Sequence, residues 1–230
     1  MNGAIGTLSW VFLLFFCLPL LGCISRPNRL PSESFGFVPS VVAPSKTDAP
    51  KPTLVLRSVR VVPAYAGQDF VYRAADYRFE RDPYAHFLTS PELLIRSAVS
   101  DSLQNSGLFQ MVVAGGSAVL THSFAEISVR ELYGDFRPRS SPAAVISLRF
   151  LVIQAPGGNP LWEGTISRRI PLRERSASAL MEGWSTGLRQ ILVEAGPLLA
   201  KYAREADLAA QKAAENANQT PAPTLPKPKS

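Results

Sequence analysis

Few side chains able to do chemistry stand near one another in this chain of 230 residues. Its two histidines, His86 and His122, are far apart with no cysteine beside them, so local spacing builds neither a zinc set nor a cysteine–histidine pair. Ser117 in "GGSAV" lacks the closing glycine of a nucleophile elbow, and no HExxH, Ser-x-x-Lys, P-loop or dinucleotide fingerprint occurs. Glu126 and Glu131 fall on one predicted strand, but their odd separation sends them to opposite faces, away from carboxylate-pair chemistry. No catalytic residue and no metal ligand is therefore assigned, and the expectation is a protein that is not an enzyme.

The chemistry that spacing does support is at a cysteine. The two thiols are Cys17 and Cys23, and Cys23 closes the run "SWVFLLFFCLPLLGC". Leu20-Leu21-Gly22-Cys23 resembles the bacterial lipobox, in which the thiol receives a diacylglyceryl group before a peptidase cuts in front of it. The apolar stretch from Leu8 to Leu21 has the length of a secretory h-region, with a small residue before the cut. On this reading residues 1–22 are a signal peptide and Cys23 is the lipid attachment site. Its covalent diacylglycerol and N-acyl lipid, of the palmitate type, would be the only added groups, with no other cofactor. The mature chain would hold no thiol pair to oxidise. Against it, the n-region "MNGAIGTLS" has no Lys or Arg, and Leu21 is bulky for its place. An uncleaved anchor is the competing reading, and Arg26 and Arg29 would then hold the domain in the cytoplasm. For the lipidated form, Ile24 is not the aspartate that commonly retains lipoproteins in the inner membrane. The expected location is the periplasmic face of the outer membrane, with the inner membrane as the alternative.

The elements around this site follow from composition and periodicity. From Ile24 to Pro52 there are six prolines and few long apolar residues, so 23–52 reads as a tether reaching on the order of 90 Å when fully extended. Residues 53–205 then form one domain, and 206–230 hold the end of a helix and a Pro/Ala/Lys-rich tail too poor in apolar residues to fold. The formal charge of +6 is spread among acids and not gathered in a stripe, which argues against nucleic acid as a partner. "TLVLRSVRVVP", "DFVYR" and "DYRFER" read as strands, the last with Tyr77 and Phe79 on a buried face. A helix follows, capped by Thr89 or Ser90, striped by Leu94, Ile95, Ala98, Val99 and Leu103, and stopped at Gly107. Three alternating runs after it predict an antiparallel meander, with Ala125, Ile127, Val129 and Tyr133 inward on the first. A last helix carries Leu180, Trp184, Leu188, Ile191, Ala195, Leu199 and Tyr202 on one stripe, with a kink or break expected near Gly196-Pro197. The fold class is α+β: an antiparallel sheet with two main helices packed on one face.

The segment "VRVVPAYAGQDFVYRAADYRFERDPYAHFLTSPELLIRSAVSDSL" resembles the ABC-type transport auxiliary lipoprotein family, the group containing paraquat-inducible protein C. Pro63 and Tyr65 answer the family's "vP-x-Y" step, Val71, Tyr72 and Arg73 its "vYr" step, and Tyr77 the strand after it. His86-Phe87 stand where the family has tryptophan. Phe35-Gly36-Phe37-Val38 is a weak form of the family's opening "Y-x-L" strand, so a first short strand near 34–38 lies within the tether. The resemblance implies a membrane-anchored periplasmic lipoprotein that accompanies an ABC transporter. Its partners would be a protein with mammalian-cell-entry (MCE) domains and the permease and ATPase of that system, moving phospholipid or other apolar cargo between inner and outer membranes. A homo-oligomer is compatible with this role. The alternative is a pilot or assembly lipoprotein for an outer-membrane machine. Tyr72 and Arg73, with Tyr84, are the expected partner contacts, because Tyr and Arg are enriched at interface hot spots. The next candidate surface is the polar face of the meander around Arg130, Arg149 and Arg169.

Overall fold

A computed structural model describes residues 31–37, 50–115, 121–137 and 140–219. Cys23 and the rest of the apolar run lie outside the described residues. The strands are β1 (Glu33–Phe35), β2 (Thr53–Val61), β3 (Asp69–Ala75), β4 (Arg78–Phe87), β5 (Met111–Ala114), β6 (Ser123–Asp135), β7 (Ala143–Gln154) and β8 (Pro160–Pro171). The helices are α1 (Pro91–Asn105) and α2 (Ala177–Gln219), and a 3-10 turn spans Pro63–Tyr65. The class is α+β, one eight-stranded sheet with the two helices sharing a single core.

The sheet is mixed and not wholly antiparallel. β6, β7 and β8 form the expected antiparallel meander. β2, however, runs parallel to both β5 and β6, and β3 meets the end of β6 in parallel at Tyr72↔Gly134 and Arg73↔Asp135. The cause lies in two connections, β2 to β3 and β5 to β6, each of which passes over one intervening strand and brings the chain back in the same direction, as parallel strands require. β1 pairs with β4, also in parallel, so a strand sits inside the segment that reads as a tether.

The core forms where the two periodicities meet. On α1, Ser90 Oγ accepts from the Leu93 amide at 3.4 Å, Ile95, Val99 and Leu103 are buried, and Gly107 takes the left-handed φ of 71° that ends the turn. On α2 the stripe from Leu180 to Leu199 is buried as its spacing predicts. Trp184 lies at its centre, its ring 4.9 Å from Phe70 and 5.5 Å from Phe87, and Nε1 donates to the Val145 carbonyl at 3.1 Å. Gly183 and Gly187 let α2 come close: a Cβ on either would fall 2.6 Å from Ala144 Cβ or Ile146 Cγ2 of β7. No break occurs at Pro197, and the helix runs on to Gln219, into the segment expected to be unfolded.

Two side-chain placements depart from simple alternation. A bulge between Val129 and Glu131 of β6 shifts the remainder of the strand by one residue. Leu132 thereby turns into the core, Tyr133 turns to the opposite face of the sheet, and Glu131 joins Glu126 on that face, opposite Ser147 of β7. The two glutamates are still separated along the strand, Glu126 opposite Leu151. Second, Tyr77 sits in the turn between β3 and β4 and is fully exposed, and Phe79 is 47% exposed. Neither is a core residue; the buried aromatics of this ribbon are Phe70 and Phe87.

Candidate partner-binding surface

The residues that sequence reading offers as contacts do not share one surface. Tyr72 and Arg73 are consecutive on β3 and so project to opposite faces of the sheet. Tyr72 lies on the helix side: its ring stacks on Phe136 at 4.7 Å and its hydroxyl donates to Asp82 Oδ2 at 2.6 Å. Burial, then the bond to Asp82 and its charge, push the phenol far above its ordinary value. This tyrosine is spent on structure.

Asp82 explains the neighbourhood. The register between β3 and β4 jumps from Asp69↔His86 to Val71↔Arg81, which leaves residues 82–85 of β4 bulged. Pro83 cannot donate to a ladder and falls in this unpaired stretch. Asp82 closes the bulge, Oδ1 accepting from the amides of Tyr84 at 2.8 Å and Ala85 at 3.1 Å while Oδ2 takes the Tyr72 hydroxyl. Burial works to raise the Asp82 carboxyl, but these three donors outweigh it and hold the group below its usual range. The bulge leaves Tyr84 46% exposed at the edge of the ribbon.

Arg73 projects from the other, open face. Its Nη2 donates to the Asp76 carbonyl at 2.8 Å, its guanidinium stands 5.6 Å from the Phe79 ring centroid, and its buried Nε meets no acceptor among the described residues. Phe79 meets Tyr133 edge-on at 5.7 Å, and Tyr133 stacks on Tyr65 at 5.9 Å, with Val71 and Val145 beneath. A hollow of about 300 Å³ opens here between Tyr65, Val71, Phe79 and Arg81. Burial is the main reason both phenols, Tyr65 and Tyr133, are pushed above their ordinary value, and the Glu131 carboxylate adds to it in each.

The same face continues over the meander. Arg149 Nε donates to Glu163 at 2.7 Å, and Arg57 lies 3.6 Å from Glu126 with its guanidinium 4.0 Å from the Phe124 ring centroid. Ser167 Oγ donates to Ser147 Oγ at 2.7 Å. Arg130 is exposed beside the bulge. At the far end Asp135, its side chain wholly buried, accepts from Arg137 Nε at 2.9 Å, Arg137 Nη2 at 2.7 Å and Arg169 Nη1 at 2.6 Å, while Arg137 Nη1 reaches Asp76 at 2.7 Å. The Arg137 bonds foremost, then those of Arg169, hold the Asp135 carboxyl far below the usual carboxylate range. The structure thus joins Arg73 to the meander face around Arg130, Arg149 and Arg169 in one open surface. It separates Tyr72, on the helix side, from that surface.

Sequence reading missed Asp82 and Asp135. The first carries a signal, because Asp-Pro followed by a tyrosine suits a side chain that accepts from the amide two residues on. The second carries none, since its arginines come from a loop and from β8. Elsewhere, a cleft of about 530 Å³ separates the end of β8 from the first turns of α2, lined by Ile170, Leu172, Arg173, Glu174, Glu182 and Thr186. Among the described residues no group of three or more His, Cys, Asp or Glu could hold a metal ion, and no helix is long and apolar enough to cross a membrane.

No family model and no curated protein matches the chain. Solved structures do match it. Protein XCC0632 from Xanthomonas campestris, described by the family model DUF330, superposes with a TM-score of 0.65 at 15% identity, over 78% of this chain and 99% of its own. A second crystal structure, of an uncharacterized protein, gives 0.56 at 15% identity over 76% and 99%. Lipoprotein GNA1162 from Neisseria meningitidis covers 62% of this chain and 98% of its own at 12% identity, but its TM-score of 0.26 is too low to carry weight. At these identities what the chain has in common with XCC0632 is the fold.

Proposed function

We propose that this chain is a lipid-anchored envelope protein that serves as the auxiliary component of an ABC-type transport system, docking on an MCE-domain partner and taking no part in covalent catalysis. The observation that carries the reading is the ending Leu20-Leu21-Gly22-Cys23 of the apolar run, placed ahead of a domain with the fold of XCC0632. The acyl groups on Cys23 hold the domain at a membrane, and the open sheet face offers the docking surface. On that face Arg73 stands beside Phe79, which borders the hollow, while Arg149 and Arg169 are already paired with Glu163 and Asp135. Arg and aromatic anchors over a small pocket are the features that dominate binding energy at protein interfaces. The outer membrane is the expected site, facing the periplasm.

The test is a pull-down of the full chain from native membranes with the retained proteins identified. An MCE-domain protein with its permease and ATPase is the expected result. A secretin or outer-membrane barrel in their place would replace the transport reading with a pilot role. Fatty-acid labelling checks the anchor in the same cells: wild type takes the label and Cys23→Ala does not.

A further inference from the structure

β1 fixes where the chain enters the domain, and that restricts how far the domain can stand from its anchor. Glu33, Ser34 and Phe35 pair in parallel with Ala85, His86 and Phe87. The Phe35 ring lies 5.2 Å from Phe70, and the Leu88 amide donates to the Phe35 carbonyl at 2.8 Å. Between Cys23 and Glu33 stand residues 24–32, nine in all. With the step onto Glu33 they span at most about 35 Å. A membrane that holds Cys23 is close to the domain.

Because β1 and β4 are parallel, Glu33 is the end of β1 nearer the start of β4 and the β3–β4 turn at Asp76 and Tyr77. From Ala85 back to Tyr77 the strand rises about 26 Å, within reach of the same nine residues. At that turn the fold has an expense it does not explain. Tight turns favour Gly, Asn and Asp, yet Tyr77 stands at the apex fully exposed, with Tyr84 46% exposed further along β4. Arg78 follows directly, its exposed guanidinium bridged at 3.1 Å to Glu80, itself exposed.

We propose that the tip of the β3–β4 hairpin, with Tyr77 at its apex, rests in the headgroup layer of the phospholipid membrane that holds the Cys23 lipid. Tyrosine is suited to that depth, an apolar ring with a polar end, and Arg78 can donate to a lipid phosphate from the same turn. The lipid holds the chain at the surface and the hairpin sets the domain's orientation on it, leaving the open sheet face to the side for a protein partner. The proposal rests on acylation of Cys23.

The experiment uses the full chain, expressed with its signal, purified in detergent and returned to phosphatidylethanolamine–phosphatidylglycerol vesicles. Cys17 leaves with the signal and Cys23 is acylated, so a spin label on Tyr77→Cys occupies a single site. Thr165→Cys, exposed on the open face, is the comparison. The label at 77 should collide more with oxygen than with a water-soluble nickel complex, and the label at 165 should show the reverse. Equal water exposure at both sites, in a chain that carries the fatty-acid label, overturns the hairpin contact and leaves the anchor standing. Spin–spin broadening at 77 would overturn it in favour of contact between copies. A chain without fatty-acid label overturns both readings together.

Discussion

Two aspartates show how single residues hold irregular backbone in this domain, and both make testable demands. Tyr72→Phe keeps the ring on Phe136 and removes one donor from Asp82, which retains the two amides. The expected loss is about 1.5–3 kcal/mol in chemical denaturation, that of a hydrogen bond to a charged acceptor, with partner binding unchanged because this side chain faces the helices. Asp135→Asn is more damaging, since the Arg137 and Arg169 guanidinia lose their shared counter-charge. The expected cost is about 3 kcal/mol, the low end for an orphaned partner of a buried pair, as both arginines keep a solvent-exposed side. The sign of the pH dependence follows from a folded-state carboxyl held below its unfolded value. The contribution is complete above the unfolded value near pH 4 and is lost as the pH falls through the range beneath it. The stability gap between wild type and Asp135→Asn should therefore narrow in denaturant titrations below about pH 4; a gap constant from pH 7 to pH 3 would reject the charge pairing. That Tyr72 would turn to the helices was not legible, since nothing in "VYR" says that Asp82, ten residues on, will take its hydroxyl.

At the scale of elements, period and capping were informative and pairing partners were not. The stripe of α2 and the cap of α1 can be read from the chain because each depends on residues within a few positions. The bulge in β6 cannot, because an extra residue is recognised only against the strand opposite, and with it went the faces of Leu132, Tyr133 and Glu131. Phe79 was misplaced for a related reason: alternation gives two faces but not which one a helix covers. Truncation separates the two aromatics. Phe70→Ala should cost about 3–5 kcal/mol, whereas Phe79→Ala, half-exposed on the open face, should cost about 1 kcal/mol and weaken partner capture. Gly183 and Gly187 test the layer contact itself. Alanine gains about 1 kcal/mol over glycine in a helix interior. At Gly187, though, its methyl would meet Ile146 Cγ2 at 2.6 Å, in a core where overpacking costs about 1–3 kcal/mol. Gly187→Ala should therefore lower the melting temperature despite its better helix propensity, and a rise would mean that α2 can lift from β7 freely.

For the whole molecule, the decisive unit is three residues long. β1 belongs to a segment whose prolines and polar residues read as linker, yet it docks through Phe35 on Phe70 and Phe37 on Phe87, 6.3 Å between centroids. Its removal would change the reach of the anchor more than the stability of the fold, because β1 contributes one edge pairing to a core built by α1, α2 and the central strands. The double change Phe35→Ala and Phe37→Ala deletes the two rings that hold it. Hydrogen–deuterium exchange should then rise at the amides of Phe35 and Leu88 while Ile127, Leu148 and Ile191 remain protected, since edge elements open locally at far lower free energy than the core. In vesicles the same variant no longer holds the anchor end close through β1, so the spin label at Tyr77 should move out of the headgroup layer toward water although the acyl group is unchanged. If the whole domain instead loses protection together, β1 is a required part of the core; if exchange at Phe35 is unaltered, the rings are not what seats it.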